Sequence, residues 1–168
     1  ADDPGVQLSM LHLPVEHISL NPLISKAIVD GVESGLFDIS GERPSKISRI
    51  YMEVANNLNE HGRNEQDVER SISLFKESIK MVNKGLDFYN QSSNVEQVHK
   101  IKNAILDIKY NIFFVLNNET NKHIKNGDSQ KMFDYLMETS KAVEEVKKYD
   151  AELRGADIKT DTKKLNKM

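Results

Sequence analysis

Apolar residues recur along this chain at steps of three and four. From Ser45 onward, Ile47, Ile50, Tyr51, Val54, Ala55 and Leu58 follow at spacings of three, one, three, one and three. That is the period of an amphipathic helix, whose turns bring these side chains onto one face. Val68, Ile72, Phe75, Ile79, Val82, Leu86 and Tyr89 form a second such stripe, between about 65 and 90. Val98, Ile101, Ile105, Ile108, Ile112 and Val115 form a third. Leu23, Ile24, Ala27, Ile28 and Val32 mark a shorter helix before them, and Met132, Phe133, Leu136, Met137, Val143 and Val146 mark a last one over about 129–153. No segment alternates with the period of a strand. The pattern predicts an all-α fold, an antiparallel helical bundle of four to five helices with short connections.

Polar and special residues punctuate the stripes. Asn21 reads as an N-cap with Pro22 at the first helical position. Gly35 ends that helix, and 38–44 (DISGERP) is a loop. Gly62 reads as a C-terminal cap of the second helix. Glu65, Asp67 and Glu69 suit the positive start of the third. Ser93 with Glu96 has the spacing of a capping box, and 126–128 (NGD) closes the helix it opens. Residues 1–20 hold two of the four prolines and no period, so they read as an extended N-terminal arm. The expected organisation is this arm, a bundle domain over 21–153, and a polar flexible tail over 154–168.

The densest apolar stretch is AILDIKYNIFFVL, 104–116. Ile101, Ile105, Ile108, Ile112 and Val115 make a seam, and Ala104, Leu106, Phe113, Phe114 and Leu116 widen it until Lys102, Asp107, Lys109 and Asn111 leave a narrow polar strip. A helix apolar on most of its circumference is buried on several sides. The same residues (Ile101, Ile105, Ile108, Ile112, Phe113, Phe114 and Val115) form the candidate functional set. Exposed by an opening of the bundle, they would bind a bilayer interface or a partner helix. Burial of Phe113 and Phe114 is worth about 2–3 kcal/mol each, so opening needs a compensating acceptor. Acidification is the candidate trigger, because any of the five histidines buried in neutral form would destabilise the closed state on gaining charge. The longest unbroken apolar run, Ile112–Leu116, is five residues. Spanning a bilayer takes roughly 18 or more, so a transmembrane helix is excluded.

Composition narrows the function classes. The 168 residues carry a net charge of −3 with both signs interspersed, and no basic stripe tracks a phosphate backbone, so nucleic acid is not an expected partner. There is no cysteine, which excludes a disulfide scaffold and thiolate metal sites. The opening ADDPG, without Met, reads as a mature terminus left by cleavage or as a cloning remnant.

Catalytic motifs are missing. Glu96 and His99 give one E-x-x-H, but a di-iron bundle needs a second, and Glu119–His123 is one residue too long. His12, His17 and His61 make no ligand spacing with one another. No zinc-protease, nucleophile-elbow, Walker or dinucleotide motif occurs. Asn90-Gln91-Ser92 and Asn118-Glu119-Thr120 match glycosylation acceptors at the frequency chance gives. The expectation is a non-enzyme with no cofactor, no metal and no small-molecule substrate.

The Lys-, Asn- and Ile-rich usage of KIKNAILDIKYN (100–111) and NNETNKHIKNGD (117–128) looks like that of strongly AT-rich genomes such as those of malaria parasites. With a cysteine-free helical bundle over about 21–153, the chain resembles the family of sporozoite microneme proteins essential for cell traversal. The resemblance implies a secreted protein stored in micronemes that helps sporozoites cross host cells, with a host membrane or a host or parasite protein as partner. It carries no residue-level role. The alternatives are a cytosolic helical adaptor or chaperone-like binding module, and a bacterial surface or secretion protein.

Overall fold

The computed structural model describes residues 6–7, 22–92, 94–161 and 163–168. Asn21, Ser93 and all of the expected arm except Val6 and Gln7 lie outside the described residues. Five helices carry the fold among those described: α1 (Pro22–Glu33), α2 (Pro44–Asn64), α3 (Val68–Ser92), α4 (Val95–Asn126) and α5 (Ser129–Gly155). The chain is an all-α helical bundle, as its periodicity predicts. Among the described residues the one extended pairing is a two-residue parallel ladder of Val6–Gln7 (β1) with Phe37–Asp38 (β2).

Three helices begin at an Asx side chain. Asp67 Oδ1 accepts from the Arg70 amide at 2.9 Å, Asn94 Oδ1 from Gln97 at 3.1 Å, and Asp128 Oδ1 from Lys131 at 3.1 Å. Each satisfies a first-turn N–H that has no partner within its helix. For α4 the described cap is thus Asn94. Gly127, at φ 71°, takes the left-handed turn between α4 and α5.

Read from the sequence as one domain, the chain divides into two compact units, Ala1–Glu60 with Glu77–Val98, and His61–Lys76 with His99–Met168. In the first, α2 and α3 run antiparallel and are joined by fully buried serines. Ser48 Oγ donates to the Gly85 carbonyl and Ser78 Oγ to the Ala55 carbonyl, both at 2.6 Å. Small residues at these places let the backbones approach until a hydroxyl reaches a carbonyl, so each buried polar group finds its partner. Ile47, Ile50, Val54, Met81, Val82 and Leu86 are buried in the same unit. Tyr51 stacks on Phe88 with ring centres 6.0 Å apart, and its hydroxyl lies 3.4 Å from Glu33 Oε1, which also holds Lys84.

Gly62 belongs to the second unit and is not a C-terminal cap. It is buried inside α2, where a Cβ would stand 2.7 Å from Phe75 Cε1, and its carbonyl accepts from Ser71 Oγ at 2.6 Å. The glycine makes room for a ring. In this unit α4 and α5 also run antiparallel. One cluster holds Leu106, Val146, Leu153 and Ile158, with Tyr149, Leu165 and Met168 packed against it. Another holds Phe113, Leu116 and Ala142, with Ile72, Ile112, Tyr135 and Val143 around it. The segment after Gly155, read as a polar flexible tail, therefore folds back. Three apolar residues, Ile158, Leu165 and Met168, pack against the unit, and Ile158 is only 4% exposed.

Two tyrosines should report the integrity of the fold at high pH. Burial, and then the Glu33 carboxylate, push the Tyr51 phenol up to about 12; burial, and then Glu152, do the same for Tyr149. Each phenol is neutral in the fold beyond the pH at which an unfolded tyrosine ionises, about 10. The stability this gives is whole below about pH 10 and is lost as pH rises towards about 12. An absorbance titration at about 295 nm should show a late phase near pH 12 that coincides with loss of helical dichroism. A single phase near pH 10, with the helix intact, would contradict the burial of both rings.

Candidate interaction face

The structure divides the residues singled out on α4. Ile101, Ile105 and Ile108 are 1%, 2% and 4% exposed, and Phe113 is also buried. Ile112 and Val115 are half-buried. Phe114 is 51% exposed and turned away from the core, so it does not belong to the seam. The buried stripe passes from Ile101, Ile105 and Ile108 to Leu116, Thr120 and His123. An α-helix drifts by about 20° per heptad against a strict 3.5-residue repeat, which moves the buried position from Val115 to Leu116.

Between α4 and α5 the seam becomes polar. Thr120 Oγ1 and Thr139 Oγ1 are 3.1 Å apart, and each hydroxyl also lies within hydrogen-bond reach of a carbonyl of its own helix, at Leu116 and Tyr135. His123 is buried and stacks on Tyr135 at 5.4 Å with the rings 10° from parallel. Its Nε2 lies 3.0 Å from Glu119 Oε1. The Glu119–His123 spacing that is wrong for a di-iron site is right for this same-face pair. Burial, aided by the Glu69 and Glu119 carboxylates, raises the Tyr135 phenol. Glu96 is exposed and His99 half-buried. Among the described residues, no group of three or more His, Asp or Glu could hold a metal ion.

The fifth helix departs from its sequence reading. Its buried residues are Thr139, Ala142, Val146, Asp150 and Leu153, while Phe133, Leu136 and Met137 are 55%, 45% and 48% exposed. Positions i, i+3 and i+4 share one helical face, so these three form a continuous apolar surface. Thr139 faces Thr120 and Ala142 packs with Leu116 and Phe113, so in the first half of this helix small side chains hold buried positions while Phe133, Leu136 and Met137 lie outward. The missed signal is the pair of small residues, Thr139 and Ala142, at helical spacing; a scan for large apolar residues passes over it.

The fold thus defines a helical bundle with an apolar face on its last long helix. Comparison with protein-family models, with curated proteins and with solved structures gives no match.

Proposed function

We propose that this protein is a non-enzymatic helical binding module that engages an apolar segment of a host or parasite protein through Phe133, Leu136 and Met137. The observation that carries the reading is the exposure of these three large side chains on one face of a regular helix. Single exposed apolar residues need no explanation, whereas a contiguous apolar face rimmed by polar residues is what a partner helix covers. Beside the face Glu138 is paired with Lys141 at 3.2 Å and Asp134 accepts from Gln130 at 3.1 Å, so the rim carries no excess of the Lys and Arg that contact with an anionic bilayer favours. The setting is the one the family resemblance implies: secretion, storage in micronemes and contact with host cells during sporozoite traversal.

Membrane contact by the α4 seam is the second reading, and exposed Phe114 is the feature that favours it. The rest of that set would have to leave the core. Among the described residues no helix is long and apolar enough to cross a membrane.

Binding of the labelled protein to cultured hepatocytes and to protein-free liposomes tests both readings. The triple variant Phe133→Ser, Leu136→Ser, Met137→Gln should keep the helical spectrum, since exposed substitutions usually stay within about 0.5 kcal/mol each. It should lose at least about tenfold in cell binding, a factor of ten being about 1.4 kcal/mol. Equal binding by variant and wild type would remove this face from the proposal. Liposome binding that survives the triple change and is lost in Phe114→Ser would favour the membrane reading.

A further inference from the structure

The segment that follows α5 is held in two different ways. Its first part is locked. Ile158 is buried, Thr160 Oγ1 donates to Asp150 Oδ1 at 2.6 Å, and Asn103 Nδ2 donates to the Lys159 carbonyl at 3.1 Å. Asp150, itself buried, also meets Arg154 Nε at 3.0 Å. Further on the contacts become superficial. Lys164 Nζ lies 3.1 Å from Asp107 Oδ1 and 5.2 Å from the centre of the Tyr110 ring, with both members of the ion pair about half exposed. Leu165 packs, partly buried, on the Leu106–Val146 cluster, and Met168 reaches both that cluster and the one around Phe113.

We propose that Lys163–Met168 is a detachable strap filling a docking face on α4, and that this face accepts a basic–apolar segment of a partner protein in its place. The strap shows the chemistry that fits. A cation sits between a carboxylate and an aromatic ring face, which attracts it electrostatically. Apolar side chains one and four positions later meet apolar clusters. The receptor side is Asp107, Tyr110 and Phe113, and Phe114, with its ring centre 6.5 Å from that of Tyr110, continues the aromatic surface. Exposed ion pairs hold weakly, so this end opens while Ile158 and Thr160 keep their places. The anchored strap has an effective concentration in the millimolar range, so it selects against weak ligands and yields to a better one. The inference does not depend on the α5 face.

The test uses the 168-residue chain and a synthetic peptide with the sequence of residues 159–168, followed by amide nuclear magnetic resonance shifts. Leu165→Asp unseats the tethered strap. In that chain the peptide should shift the amides of Asp107, Tyr110 and Phe113 at roughly millimolar concentration, with an apparent affinity at least about tenfold higher than in the wild type, where the strap competes. Adding Asp107→Lys should abolish the response while the helical spectrum remains. Three results would overturn the proposal: equal responses in the Leu165→Asp and wild-type chains, no response in Leu165→Asp, or unfolding of Leu165→Asp, which would make the strap part of the core.

Discussion

Ile108→Asp is expected to leave the protein mostly unfolded at 25 °C, while Phe114→Asp, six residues along the same helix, barely changes its melting temperature. Ile108 is 4% exposed and Phe114 51%. A carboxylate at 108 would lose the burial of the isoleucine, about 1.5–3 kcal/mol, and would add the larger cost of an unpaired buried charge. Set against a total stability of about 5–15 kcal/mol for a domain, that removes most or all of the margin. At 114 the charge stays in water, and a surface change is worth about 0.5 kcal/mol. Ile112→Asp should fall between them, because Ile112 is only partly buried against the Phe113 cluster. Thermal melts followed by circular dichroism give the order directly. If Ile108→Asp melts like the wild type, the seam is surface and the buried reading of α4 fails. If Phe114→Asp unfolds the chain, the exposed side of α4 has been misassigned.

The helices were legible because large apolar residues announce them by their spacing. What pairs the helices was harder to see. Ser48, Ala55 and Gly62 lie seven apart on α2, as Ser71, Ser78 and Gly85 do on α3. Hydrophobic periodicity gives serine and glycine no weight, and so passes over the residues that set how closely two helices pack. Gly62 was also ambiguous in its surroundings. A glycine just past the last apolar residue of a stripe, Leu58, and before Arg63-Asn64-Glu65 has the signature of a helix end, and the position of Phe75 shows otherwise. The face on α5 was hidden for the converse reason. Phe133, Leu136 and Met137 have the size and spacing of core residues, and their exposure depends on Thr120, Leu116 and Phe113 of α4 meeting Thr139 and Ala142 instead. In the tail, a polar composition concealed three apolar contacts, at Ile158, Leu165 and Met168, that are too sparse to make a period.

Gly62→Leu should cost about 3 kcal/mol, and Gly62→Ala should cost less but still destabilise, although alanine is the better helix former by about 1 kcal/mol. The sign follows from the neighbour. A Cβ at position 62 would meet Phe75 Cε1 at 2.7 Å and Cδ1 at 2.9 Å, and Phe75 is 1% exposed, so the ring has little room to yield. Overpacking of this kind costs about 1–3 kcal/mol, which outweighs the gain in propensity. The mechanism makes a sharper demand on a double-mutant cycle. Phe75→Leu alone loses buried area, but beside Gly62→Ala it removes the clash and lets the propensity gain appear. The two changes should therefore couple by about 1 kcal/mol or more in the favourable direction, as residues in direct contact do. Chemical denaturation of the four proteins measures this. If Gly62→Ala stabilises the chain and the pair is additive, position 62 is open, as the reading of a helix cap would have it, and the ring does not occupy the space the glycine leaves.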